Sequence, residues 1–197
     1  MEKIDKRTSA GRWKLFAVLA VCAAPMVFSY LAYYVIKPGG RTNYGTILDS
    51  RLYPMPKLGG SLLGGEAKEL DSYSGKWLLL QVDSGACAAP CQKKLYDMRQ
   101  LRLTQGKEMD RLERVWLITD NQPVDTVLIR AFDGTRMLKV DLTALKKWLP
   151  TEQNTQLNEH IFMIDPRGNL MMRFPKDADP QKMKKDIAKL LRASAIG

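Results

Sequence analysis

From Leu15 to Ile36 the chain runs for 22 residues without a charged side chain, LFAVLAVCAAPMVFSYLAYYVI, between Lys14 and Lys37. An α-helix rises about 1.5 Å per residue and the hydrocarbon core of a bilayer is about 30 Å thick, so this stretch is long enough to cross a membrane once. Trp13 at one end and Tyr30, Tyr33 and Tyr34 at the other are amphipathic rings placed where headgroups meet the acyl region. Pro25 falls in mid-span, where a membrane helix tolerates a kink. The apolar run exceeds the roughly 7–15 residues of a cleaved signal's core, so an uncleaved anchor is expected. Cys22, inside the span, reads as an apolar helix residue.

Five basic residues (Lys3, Lys6, Arg7, Arg12, Lys14) precede the span, against Lys37 and Arg41 just after it. The positive-inside bias then places residues 1–14 as a cytoplasmic tail, 15–36 in the inner membrane, and the rest of the chain in the periplasm. The chain as a whole carries a net charge of +10, which suits anionic surfaces, but no basic run interleaved with aromatics appears and no nucleic-acid partner is expected.

Residues 37–57 are rich in Gly and Pro and read as a linker and extended segment, with a compact domain expected from 58 to 197. Trp77–Asp83 is a short apolar run bounded by turn residues, hence a strand buried on both faces. Leu95, Met98, Leu101 and Leu103 follow at near-helical spacing up to Gly106. Val115–Thr119 is a second strand, completing a βαβ unit that should cross over right-handed. A helical stretch near 124–132, a short strand at Met137–Val140 and helical turns at Thr143–Leu149 come next. His160–Ile164 and Asn169–Phe174 flank Asp165-Pro166-Arg167-Gly168 as a hairpin, and Asp179-Pro180 opens a final helix through Met183, Ile187, Leu190 and Leu191. The order β-α-β-α, then β-β-α, predicts an α/β, thioredoxin-like fold: a central mixed sheet with an antiparallel last hairpin and helices on both faces.

Three cysteines are too few for a disulfide scaffold, and two of them form Cys87-Ala88-Ala89-Pro90-Cys91 at the junction of the first buried strand and the first long helix. Unpaired N–H groups and the helix dipole favour a thiolate there. Four-residue spacing on a helix would bring both sulfurs to one face, near enough for a disulfide or for two sulfurs on one metal ion. Thiolates are soft and select Cu(I) over Mg or Ca, while a plain stabilising disulfide over so short a loop removes little unfolded-state entropy. The pair is therefore expected to be chemically active and reachable from the periplasmic fluid, with Cys87 the more exposed. His160, the only histidine, opens the strand leading to the Asp-Pro turn, from which it would reach the cysteine loop as a third ligand or a proton-transfer group.

Gly75-Lys76-Trp77-Leu78-Leu79-Leu80, the Cys-x-x-x-Cys helix entrance, Val115 to Asp120, then His160 and Ile164-Asp165-Pro166-Arg167-Gly168 together resemble the Sco/SenC group of membrane-anchored thioredoxin-fold proteins, over roughly Leu58 to Leu191. The resemblance implies copper, Cu(I) or Cu(II), held by Cys87 and Cys91 with His160 as nitrogen ligand. It also implies a role in metallating cytochrome c oxidase, with an oxidase subunit or another periplasmic copper or thiol protein as partner. The family commonly has Pro after each motif cysteine and an acidic residue between them, where this chain has Ala88-Ala89-Pro90 and Gln92. Its histidine stands about eight residues before the Asp of the turn; here it stands five before. No proline occupies Glu159-His160, where thioredoxin-type oxidoreductases place one beside the dithiol. Two alternatives stay open: a thiol:disulfide oxidoreductase in which Cys87 attacks and Cys91 resolves, and a non-catalytic adaptor docking through Lys182, Lys184, Lys185 and Lys189. A solvated helix face accounts for those lysines more simply.

Overall fold

The computed structural model describes residues 6–36 and 43–196, in two compact units divided between Thr42 and Asn43. The first five residues of the expected tail, and positions 37–42 of the expected linker, lie outside the described residues. In the first unit, helix α1 (Lys6–Leu31) passes through Pro25 and continues as a π-helical turn, Ala32–Ile36. Arg12–Val35 is long and apolar enough to span a bilayer. Tyr34 packs against both Tyr30 and Tyr33, with ring centroids 4.5 and 4.8 Å apart, which gathers the aromatic groups at one end of the span.

The second unit is built on a six-stranded sheet in the order β1-β6-β5-β2-β3-β4. Strand β2 (Trp77–Asp83) lies near its middle, parallel to β3 (Leu112–Ile118) and antiparallel to β5 (Ile161–Ile164). Parallel β4 (Thr135–Lys139) closes one side, and β6 (Leu170–Phe174) with the two-residue β1 (Thr46–Ile47) the other. Because β2 is covered on both faces, Trp77–Leu80 read as an uninterrupted apolar run, and Gln81 is a polar side chain buried within the strand.

Successive side chains of a strand point to opposite faces, and two cores follow from that. On one face Leu78, Leu80 and Val82 meet Val115, Leu117, Phe162 and Ile164 under helix α4 (Leu142–Trp148). On the other, Trp77, Leu79, Ile161 and Met163 meet α2 (Ala89–Leu103) and α5 (Pro180–Ala193). That face continues as Trp116, Ile118 and Met137 beside the cysteines and Phe132, the residue ending α3 (Thr126–Ala131). Helices α3, α4 and α5 are capped by the side chains of Asp125, Asp141 and Asp179, each accepting a first-turn N–H.

The compact unit starts at Asn43, fifteen positions before the expected boundary at residue 58. The physical reason is Asp186 on α5, 2% exposed, whose Oδ2 accepts the N–H of Tyr44 at 2.6 Å and of Gly45 at 2.9 Å. Glycine lets the backbone pass closely at 45: an added Cβ would stand 2.6 Å from Met172 Sδ and require that side chain to shift. Within the Gly- and Pro-rich stretch, therefore, residues 43–57 are partly built into the sheet edge: Leu48 donates to Met171 O and Met55 to Gly168 O, both at 2.8 Å.

Candidate functional site

Strand β2 ends at Asp83, and a short loop carries the chain to the first turn of α2. Gly85 seats that loop: its N–H donates to Asp120 Oδ1 at 2.9 Å, and an added Cβ would stand 2.2 Å from Gln122 O. Burial works against the charged form of Asp120, yet hydrogen bonds from the Ser84 side chain and the Gly85 and Gln122 N–H groups outweigh it and hold the carboxyl below its ordinary range. Cys87 then adopts a left-handed backbone, φ 41°, unusual for a residue with a Cβ. Ala88 is the N-cap, Pro90 sits in the first turn where its missing N–H leaves no gap, and Cys91 is the third helical residue.

Cys87 and Cys91 are joined in a disulfide, their Cα atoms 5.1 Å apart. The bridge therefore crosses the helix entrance, and only Cys91 is helical; the expected one-turn spacing along a helix face is not how the sulfurs meet. Nor is Cys87 the exposed partner. It is 0% exposed and Cys91 1%, because the left-handed turn directs Cys87 inward among Leu95, Trp116, Ile118 and Phe132. A groove of about 420 Å³ lies beside the pair, lined by Asp83, Ala88, Pro90, Cys91, Lys94 and Asn158 among others. Cys91 borders this groove and Cys87 does not.

Three ion pairs line the groove: Lys94–Asp83, Lys93–Asp97 and Lys176–Glu159. Lys94, one turn beyond Cys91, bonds Asp83 Oδ2 at 2.9 Å and donates to the Asn158 carbonyl, tying α2 to the loop before β5. Beneath the disulfide Gln81 is fully buried on β2, and its Nε2–H donates to Cys91 Sγ at 3.5 Å.

The structure does not bring His160 to the cysteines. It shares parity with Phe162 and Ile164, which point into the α4 core, whereas Cys91 and Gln81 lie on the opposite face with α2. Its ring stands edge-on to Phe162 with centroids 6.0 Å apart and is 0% exposed. Both nitrogens are engaged: Nδ1 lies 2.9 Å from the Phe174 carbonyl and Nε2 2.7 Å from Thr155 Oγ1. A carbonyl only accepts, so Nδ1 carries a proton toward Phe174 O, while Nε2 meets the Thr155 hydroxyl, which itself also donates to the Glu152 carbonyl at 2.8 Å. Desolvation, opposed by the Phe174 bond, pushes the imidazole below its ordinary value, favouring the neutral ring. His160 is thus a core residue in this conformation. Among the described residues no group of three or more Cys, His, Asp and Glu side chains is placed to hold a metal ion.

Sequence reasoning had not singled out Gln81 or the Lys94–Asp83 clamp. A glutamine in the run Trp77-Leu78-Leu79-Leu80-Gln81-Val82 was the available signal: one polar side chain in a strand otherwise buried on both faces.

A family model described as transmembrane-like, thioredoxin-like, C-terminal domain matches residues 77–194, and a companion transmembrane-like, N-terminal domain matches 5–35. The chain belongs to this family: a thioredoxin-like domain behind one apolar, membrane-anchoring helix. No curated protein matches it. Among solved structures, copper-bound yeast Sco1 is similar at TM-score 0.56 and 14% identity, over 73% of this chain and 91% of that one. Copper-bound ScoI of Bradyrhizobium japonicum is similar at TM-score 0.51 and 17% identity, over 71% and 98%. A thiol:disulfide interchange protein from Bacteroides sp. is similar at TM-score 0.53 and 16% identity, over 73% and 91%. At such identities the likeness establishes the fold alone, a thioredoxin-like fold shared with copper-bound Sco structures and with a thiol:disulfide interchange protein.

Proposed function

We propose that this protein is a membrane-tethered copper chaperone that assists assembly of cytochrome c oxidase, carrying Cu(I) as cargo on Cys87 and Cys91. The observation that carries the reading is the pairing of these two sulfurs across the N-terminus of α2, with Cys91 bordering a groove. Adjacent thiolates suit Cu(I), and the helix entrance favours their ionised form. An external dithiol that gives up two electrons and two protons and itself closes to a disulfide frees both sulfurs as thiols, and uptake of the ion releases their protons. Transfer follows by ligand exchange, the acceptor's thiolates replacing Cys91 at the groove and then Cys87. Two copper-bound Sco structures share the fold, which supports copper as cargo. The basic residues before the apolar span at Leu15 favour a cytoplasmic N-terminus and a periplasmic domain, where a disulfide persists. Anaerobic titration of the reduced full-length protein in detergent tests the reading: one Cu(I) per chain is expected, with loss in Cys87→Ser and in Cys91→Ser. Retention by both variants overturns it.

The groove favours a second reading, a thiol:disulfide oxidoreductase, with the order of attack reversed from that read in the sequence. An incoming thiolate reaches Cys91, forms a mixed disulfide there and releases Cys87 as the leaving thiolate. Trapping of a mixed disulfide by Cys87→Ser, and not by Cys91→Ser, supports this reading; the reverse pattern contradicts it.

A further inference from the structure

Gln81 is a polar side chain with 0% exposure in an apolar layer, level with Trp116 on the neighbouring strand. Its Nε2–H meets Cys91 Sγ at 3.5 Å, while Oε1 is buried with no hydrogen-bond partner among the described residues. A buried carbonyl oxygen left unmatched keeps its full desolvation penalty, and Leu or Met would fill the same space without it. A disulfide sulfur is also a weak acceptor, so in the oxidised protein this amide is poorly used at both ends.

Reduction changes what the amide faces. When an external dithiol delivers two electrons and two protons, the S–S bond breaks, two S–H groups form, and the reductant's thiols become a disulfide. Cys91 then holds either an S–H, which needs an acceptor, or a thiolate, which in a dry setting needs a donor. A carboxamide offers both, one to each form, without adding charge.

We infer that Gln81 is the positioning residue of the dithiol, holding Cys91 Sγ and stabilising its reduced form through the buried amide. The inference rests on the dithiol being redox-active, as proposed above. The charged groups around Cys91 lie at the groove, where Asp83 pairs with Lys94, Lys93 with Asp97, and Lys176 with Glu159, and Asp177 also lines the wall. Gln81 is the neutral group that meets the sulfur from beneath.

The test is redox equilibration of the full-length protein in detergent against oxidised and reduced dithiothreitol. It is combined with pH-dependent alkylation of Cys91, resolved by mass spectrometry, in wild type, Gln81→Leu and Gln81→Met. Both variants are expected to shift the exchange equilibrium toward the disulfide by about tenfold, equivalent to ~30 mV. Cys91 alkylation should move to higher pH in both. Gln81→Glu should restore wild-type behaviour only at acid pH, where the protonated carboxyl can again donate. Wild-type equilibria and alkylation profiles in both the Leu and Met variants, against a wild type that reduces reversibly, overturn the inference alone. A wild-type pair that dithiothreitol does not reduce overturns the redox reading beneath it as well.

Discussion

Replacing His160 with alanine separates a core histidine from a copper ligand. The ring is completely buried and makes two hydrogen bonds, to the Phe174 carbonyl and the Thr155 hydroxyl. Truncating a ring of this size in a core, and leaving the Phe174 carbonyl without its side-chain donor, costs about 3–5 kcal/mol. For a domain of roughly 150 residues each kcal/mol lowers Tm by about 2–4 °C, so the drop is on the order of 10 °C. Because the ring lies on the α4 face and the cysteines on the α2 face, Cu(I) stoichiometry and affinity should be unchanged where the variant is folded. The assay is thermal unfolding of the oxidised protein followed by tryptophan fluorescence, with a Cu(I) chelator competition on the same preparation. A variant of wild-type stability whose copper affinity collapses refutes the reasoning.

Stability should fall as pH drops, with a sign set by the same residue. The folded-state pKa of His160 is depressed, so below the ordinary imidazole value of about 6.5 the unfolded chain binds the extra proton first. The contribution is complete above that pH and is lost as pH falls toward the folded value, at up to about 1.4 kcal/mol per pH unit. His160→Gln should remove this slope, as measured by urea denaturation at several pH values; an unaltered slope would assign it elsewhere. Asp186→Ala leaves the N–H groups of Tyr44 and Gly45 without their acceptor and should cost about 2–3 kcal/mol, with faster amide exchange at residues 44–48. Uniform exchange across the domain would contradict that local role. Gly85→Ala drives a methyl against Gln122 O and should shift the dithiol equilibrium by displacing the cysteine loop, readable in a glutathione redox buffer. An equilibrium equal to wild type would show that the loop does not set the pair's potential.

The sheet and its order were legible where pattern is local. Trp77–Asp83 needed no context to be a buried strand, and Asp179-Pro180 announced α5 by its own capping chemistry. Strand β1 was not legible: two residues carry no period, and their place depends on Asp186, about 140 positions away, as the Tyr44 and Gly45 bonds show. The face of His160 was equally hidden. Ile161-Phe162-Met163-Ile164 is apolar at every position, so no alternation reveals which side of β5 looks toward the cysteines. Cys87 was expected at an exposed tip because the helix entrance usually is one. Its left-handed backbone, which turns the sulfur inward, has no sequence signature in a residue other than glycine. The chemistry of the pair was readable from two cysteines at a strand-to-helix junction; its burial depended on loop packing set by Asp120 and Gly85.

The most direct measurement is X-ray absorption at the copper edge on the reduced, full-length protein loaded with one equivalent of Cu(I). Two sulfur scatterers on copper, with no imidazole signature, are predicted, and the same spectrum is predicted for His160→Gln. A spectrum dominated by nitrogen or oxygen, or an imidazole signature lost in that variant, would contradict a site made by Cys87 and Cys91 alone.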